Sequence, residues 1–76
     1  MDHTNDRIIR DAECEHLTGL RKSQRYKLEA AGEFPLRRRI TERLSGYSLL
    51  EVQEWTKRTL ETAPLIEYDE NGRRTA

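Results

Sequence analysis

Cysteine and aromatic residues are scarce in this 76-residue sequence, which has one cysteine, Cys14, and 7% aromatic residues. A single cysteine excludes an internal disulfide and any metal motif that needs two thiols. The sequence also lacks a hydrophobic run of the roughly 18 residues that a membrane-spanning helix needs. Its first residues, Met1 to Asp6, are polar and acidic, unlike a signal peptide. We therefore expect a soluble cytoplasmic protein with no membrane partner.

Apolar residues are also few, at 34% of the chain against 37% charged residues. They suffice for one small core, but not for a core and an enclosed substrate pocket as well. No combination of serine, histidine and acid and no glycine-rich phosphate loop is evident. Cys14 and His16 lie two positions apart and face different directions on a helix, which disfavours a metal site. The sequence predicts a protein that is not an enzyme and has no cofactor and no small-molecule substrate.

The net charge is zero, but positive charge is concentrated in the middle of the chain. Residues 1–17 carry a net charge of −3, residues 18–44 carry +5, and residues 45–76 carry −2. A local concentration of this kind is typical of proteins that bind the phosphate backbone of nucleic acids. A solvated charged surface is the alternative interpretation.

The first half of the chain predicts two short helices joined by a tight turn. Arg7-Ile8-Ile9-Arg10 is suited to a strand fragment or a lead-in that covers the core. Asp11 is the expected N-cap of a helix that ends at Thr18, where Gly19 follows. A second helix is expected from about Lys22 to Ala31, before Gly32. This spacing is typical of a helix-turn-helix.

The second half predicts a basic hairpin and a third helix. Gly32-Glu33-Phe34-Pro35 ends the helical structure and frees Phe34 to anchor in the core. Residues 36–47 fit a short hairpin, or wing. Ser48-Leu49-Leu50-Glu51 is a capping box that starts a helix containing Trp55, and Pro64 ends it. We predict a flexible tail over residues 1–6, a DNA-binding domain over 7–63, and a flexible tail over 64–76.

Several motifs over about residues 7–60 together carry a family resemblance. They are Arg7-Ile8-Ile9-Arg10, Glu13-Cys14, Leu17-Thr18-Gly19-Leu20, Ser23, Tyr26-Lys27-Leu28, Gly32-Glu33-Phe34-Pro35, Gly46-Tyr47 and Glu51-Val52-Gln53-Glu54-Trp55. In this order they resemble the AlpA-type phage and prophage regulators, which are related to excisionases. The resemblance implies a mainly α fold with a small β-hairpin wing, a winged helix-turn-helix of the MerR and excisionase kind. It also implies a bacterial, nucleoid-associated protein whose second helix enters the major groove.

Three positions depart from the family pattern. Arg21 stands where the family usually has serine, so a side-chain cap of the second helix is missing. Arg25 stands where isoleucine or leucine is common, so either its guanidinium extends outward along its stem or the helix packs less tightly. Tyr47 replaces the usual tryptophan, which keeps an aromatic ring and adds a hydroxyl group that needs a partner.

The candidate DNA-binding residues form two groups. On the second helix, Gln24 and Arg25 suit base edges, Ser23 and Lys27 suit phosphates, and Tyr26 suits either core packing or a phosphate. In the wing, three consecutive arginines would repel one another unless a polyanion lay nearby, although a surface run that aids solubility is the alternative. The full set is Arg21, Lys22, Ser23, Gln24, Arg25, Tyr26, Lys27, Arg37, Arg38, Arg39 and Arg43.

These patterns and the resemblance predict a sequence-specific protein that binds double-stranded DNA and acts as a transcriptional regulator, an excisionase or both. Because one small domain has a small footprint, we expect adjacent copies on DNA, and integrase is the expected protein partner. The alternative is a protein-interaction module such as an antirepressor, in which the acidic first segment or the third helix binds a partner.

Overall fold

The computed structural model describes residues 5–75. Within them the chain forms three helices and one three-stranded sheet. The helices are α1 (Asp11–Thr18), α2 (Lys22–Ala30) and α3 (Leu49–Thr62), and the strands are β1 (Ile8–Ile9), β2 (Arg38–Arg39) and β3 (Ser45–Ser48). The predicted fold class, mainly helical with a small β wing, is confirmed.

The central strand of the sheet is β3, which pairs antiparallel with β1 on one side and with β2 on the other. Ile9 lies opposite Tyr47, and Arg38 lies opposite Gly46. A Cβ atom on Gly46 would lie 2.6 Å from Cγ2 of Ile8, so the close passage of β1 requires glycine there. We call residues 38–48, which are β2, β3 and the loop between them, the wing.

The turn between α1 and α2 forms as the sequence predicts. Gly19 adopts a φ of 76°, and its backbone N–H donates to the Glu15 carbonyl at 2.7 Å. The N-cap prediction is wrong, because Arg10 is the N-cap of α1 and Asp11 is its first helical residue. The Asp11 carboxylate instead accepts a hydrogen bond from Arg25 across the turn, at 2.6 Å.

Ser48 caps α3, because its Oγ accepts from the backbone N–H of Glu51 at 3.2 Å. The predicted capping box is only half formed, since the Glu51 carboxylate binds the Arg38 guanidinium at 3.0 and 2.7 Å. Asp6, which we assigned to the N-terminal tail, accepts from the Ser48 hydroxyl and the Leu50 N–H, and these hydrogen bonds lower its pKa. Asp6 therefore contacts the start of α3, and the predicted boundary between the tail and the domain stays a prediction.

The hydrophobic core is small. Around its buried residues pack four partly buried side chains, Leu20, Leu28, Leu49 and Trp55. Cys14 is the buried residue of α1, and burial raises the pKa of its thiol. The buried residues of the core are Ile9, Cys14, Phe34, Tyr47 and Val52.

The residues after α3 form a small hairpin on the surface. Tyr68 is bridged to Arg74, and the chain turns between Asp69 and Gly72, whose N–H donates to the Asp69 carbonyl at 2.9 Å. The segment leaves Leu65 90% exposed, and it contributes to the elongated shape of 54 × 28 × 21 Å. The mobility that we expect for this segment remains a prediction. Across residues 5–75, no helix combines the length and the apolar character needed to cross a membrane.

Candidate nucleic-acid interface

The start of α2 presents a row of exposed polar side chains. Arg21 is the N-cap, and its guanidinium has no acceptor atom, so the side-chain cap is missing as predicted. The backbone N–H of Arg21 instead donates to Oε1 of Gln24 at 2.9 Å. This bond orients the Gln24 amide and leaves its nitrogen as a donor. The exposed residues of α2 and its N-cap that we predicted for DNA are Arg21, Lys22, Ser23, Gln24 and Lys27.

Tyr26 joins the basic start of α2 to the base of the wing. Its half-buried ring lies between two cations, with Nζ of Lys22 5.5 Å and Cζ of Arg37 3.7 Å from the ring centroid. A cation over an aromatic face is attracted by the quadrupole of the ring. The ring therefore packs against both the start of α2 and the chain leading into the wing.

Among residues 5–75, the exposed wing cations that have no internal ion pair are Arg39 and Arg43. Arg39 lies on β2, and Arg43 lies in the loop, where Ile40 and Thr41 donate backbone hydrogen bonds to the Leu44 carbonyl at 2.8 and 3.0 Å. Among residues 5–75, no carboxylate lies within 4.0 Å of either guanidinium. These two side chains are available to an external anion.

The other two arginines of the triplet, Arg37 and Arg38, already pair with carboxylates of the protein itself. Nε of Arg37 donates to Oε1 of Glu29 at 3.0 Å, and the Arg38 guanidinium makes a bidentate ion pair with the Glu51 carboxylate. For these two, the repulsion within the triple arginine is offset by carboxylates of the protein itself, and their contact with DNA stays a prediction. Arg39 is the exposed member of the triplet that has no such partner within the described residues.

Arg25 lies in the protein interior. Its side chain is 0% exposed, and the guanidinium donates to the Leu20 carbonyl and to Oδ1 of Asp11, both at 2.6 Å. Its Nε has no hydrogen-bond partner among the described residues. A side chain without exposed surface cannot reach a base edge, so the prediction that Arg25 contacts bases, with its guanidinium extended outward, is wrong.

Glu29 is a second buried charge on α2, at 8% exposure. Oε2 accepts from the Tyr47 hydroxyl at 2.6 Å, while Oε1 faces Arg37. Burial, followed by the hydrogen bond to Glu29, raises the pKa of Tyr47, so this hydroxyl stays protonated at neutral pH and donates. Sequence analysis missed both Glu29 and Asp11 as partners. The available signal was the i, i+4 spacing of Arg25 and Glu29, which places two charges on one side of α2.

Within residues 5–75, no group of three or more histidine, cysteine, aspartate or glutamate side chains is placed to hold a metal ion. Comparison with known families gives one finding about this chain: its residues 7–60 match the model of the family described as prophage CP4-57 regulatory protein (AlpA). Comparison with curated proteins and comparison with solved structures gave no match.

Proposed function

Because the chain belongs to the AlpA family of prophage regulatory proteins, we propose that it regulates by binding double-stranded DNA in a sequence-specific way. In this proposal α2 enters the major groove, and the wing contacts the adjacent backbone or minor groove. The observation that supports it best is the Tyr26 ring between Lys22 and Arg37. This packing places the exposed basic start of α2 beside the chain that leads into the wing.

The proposal gives the exposed side chains two kinds of contact. Gln24 contacts a base edge through its free amide donor, and Arg21 or Lys22 contacts guanine or a nearby phosphate. Ser23 and Lys27 lie on phosphates, as do Arg39 and Arg43 of the wing. Arg25 is excluded by its burial. Arg37 and Arg38 take part as neutralised residues that support the wing.

The cellular role in this proposal is transcriptional regulation, excision of an integrated element or both, without enzymatic activity of the protein itself. A module of this size covers about 600 to 1,000 Å² of its own surface on DNA. Such a footprint supplies limited specificity, so several copies bind adjacent sites. For excision, the copies on adjacent sites would bend the DNA, and integrase would recognise the bent complex.

Salt dependence tests the electrostatic part of the proposal. The affinity for duplex DNA of mixed sequence should fall linearly with salt on a double-logarithmic plot, because bound cations displace counterions from the DNA. Arg39→Ala should make this slope shallower by about 1, since one phosphate contact is lost. Fluorescence anisotropy over a series of salt concentrations measures both quantities.

The matched control for Arg39→Ala is Arg58→Ala, which removes the same charge from α3, where Arg58 pairs with Glu54 at 3.5 Å. This control should leave the slope unchanged. Binding that does not respond to salt, or equal slope changes in the two variants, would contradict the proposed interface. It would favour the alternative of a protein-interaction module.

A second experiment separates base contacts from backbone contacts. Gln24→Ala should weaken binding to a duplex selected from a random pool by about 1 to 3 kcal/mol, and should change binding to a scrambled duplex much less. Arg39→Ala should weaken both by similar factors, because its phosphate contact is independent of sequence. Competition titrations give the ratio of the two affinities. If Arg39→Ala alone changes this ratio, the wing and not α2 contacts the bases.

A further inference from the structure

Arg25 of α2 lies beside the wing, with Cζ 5.8 Å from the centroid of the Tyr47 ring. Three hydrogen bonds from residues 36–48 to α2 end on one carboxylate, that of Glu29. It accepts from the Tyr47 hydroxyl on β3 at 2.6 Å. It also accepts from Arg37, just before β2, through Nε at 3.0 Å and the backbone N–H at 3.4 Å. One buried side chain of α2 therefore binds β3 of the wing and the residue that precedes β2.

The bonds to Glu29 restrict the wing because both oxygens have a fixed partner. Hydrogen bonds to an ionised acceptor are shorter and roughly twice as strong as neutral ones. A buried carboxylate that lost them would be left desolvated, so rotation of the wing away from α2 is costly. Arg37 in turn covers the Tyr26 ring, which restricts the same rotation from the other side.

We propose that Glu29 is a positioning residue for DNA binding, which sets the angle between α2 and the wing so that both meet the DNA together. The inference rests on the proposed function, since it assigns Glu29 a role in DNA binding. Glu29 is buried, so it acts through the position of the wing and not by contact with DNA. Its importance comes from geometry, because a protein that must contact a groove and the adjacent backbone at once loses affinity when its two contact elements move independently.

The sign of the effect separates this role from simple electrostatics. Removing an acidic residue makes the protein more positive, which by itself strengthens binding to DNA. If Glu29 positions the wing, Glu29→Gln should instead weaken binding. Glu54→Gln is the matched control, because it removes the same charge from an exposed residue of α3.

We expect Glu29→Gln to weaken binding to the selected duplex about tenfold, which corresponds to roughly one charged hydrogen bond lost from the bound geometry. Tyr47→Phe removes one donor without changing charge, and should weaken binding in the same direction by a smaller factor. The double variant should lose less affinity than the product of the two single losses, because both substitutions remove the same hydrogen bond. Binding by Glu29→Gln that equals or exceeds that of Glu54→Gln overturns the inference. If Glu29→Gln fails to fold, Tyr47→Phe decides the question: weaker binding than the wild type supports the inference, and equal binding overturns it.

A measurement on the free protein keeps this inference apart from the proposed function. Residual dipolar couplings of backbone N–H groups report whether α2 and the wing behave as one rigid body. They should fit one alignment in the wild-type protein and two in Glu29→Gln. A single alignment in both proteins overturns the positioning role even if DNA binding is confirmed. If the wild-type protein binds no duplex, the proposed function fails, and the couplings still decide whether Glu29 fixes the wing.

Discussion

Replacing Asp11 by alanine is expected to lower the free energy of unfolding by about 3 kcal/mol, because it leaves the Arg25 guanidinium buried without its counter-charge. Breaking a fully buried pair costs about 3 to 5 kcal/mol, and the lower end applies here because the solvent screens the partly exposed carboxylate. The Arg25 side chain is 0% exposed, whereas that of Asp11 is 44% exposed. Urea unfolding followed by circular dichroism measures the change.

The control for this prediction is Arg25→Leu, which fills the site with an apolar side chain. This variant removes the buried charge itself, and the Asp11 carboxylate that it leaves unpaired is 44% exposed and stays hydrated, so the variant should remain within about 1 kcal/mol of the wild type. In the Arg25→Leu protein, Asp11→Ala should change the free energy of unfolding only slightly. Equal losses in the two backgrounds would show that Asp11 acts on α1 and not through Arg25. Arg25→Leu should also retain DNA specificity, because the residue has no exposed surface.

Replacing Trp55 by alanine is expected to cost about 3 to 5 kcal/mol, which is enough to unfold a domain of this size. The indole packs edge-on against Phe34 with ring centroids 4.7 Å apart, and its Nε1–H donates to the Glu33 carbonyl at 2.8 Å. It therefore holds α3 to the segment between α2 and the wing. The readout is the thermal unfolding curve of the purified variant.

Trp55→Phe separates the two contributions of the indole. It retains an aromatic ring against Phe34 and loses the hydrogen bond, so it should cost about 1 to 2 kcal/mol. A melting curve of Trp55→Ala close to that of the wild type would show that the core holds α3 without the indole. Thermal melts of the three proteins at one concentration make the comparison.

The ends of α1 and α2 and the start of α3 were predictable because they depend on local chemistry, whereas the predicted N-cap of α1 was wrong by one residue. Gly19 can take positive φ, and Ser48 can cap α3, whatever the rest of the chain does. Likewise Glu33 donates to the Leu28 carbonyl at 2.7 Å across Gly32, which closes the end of α2. Each signal lies within a few residues of the structure that it determines.

The pairing of charges was not predictable from the same signals. Asp11 and Arg25 are 14 positions apart, and Glu29 and Tyr47 are 18 apart, so neither pair follows from helical spacing. Composition favours placing arginine and glutamate at the surface. The sequence has too few apolar residues to cover the inner side of α2. Two charged side chains of α2, Arg25 and Glu29, are therefore buried there, and their ion-pair partners come from other segments. For that reason the prediction for Arg25 was wrong.

The pairing of β1 with β3 also has a consequence for folding during synthesis. Ile9 is fully buried, but its strand partner is Tyr47, which the ribosome adds much later. At about 5 to 20 residues per second, the delay is roughly 2 to 8 seconds. During this time the nascent chain exposes an apolar strand edge next to a half-built core. Nascent chains arrested before Tyr47 should therefore be protease-sensitive, and protection should appear only once β3 and the start of α3 have emerged.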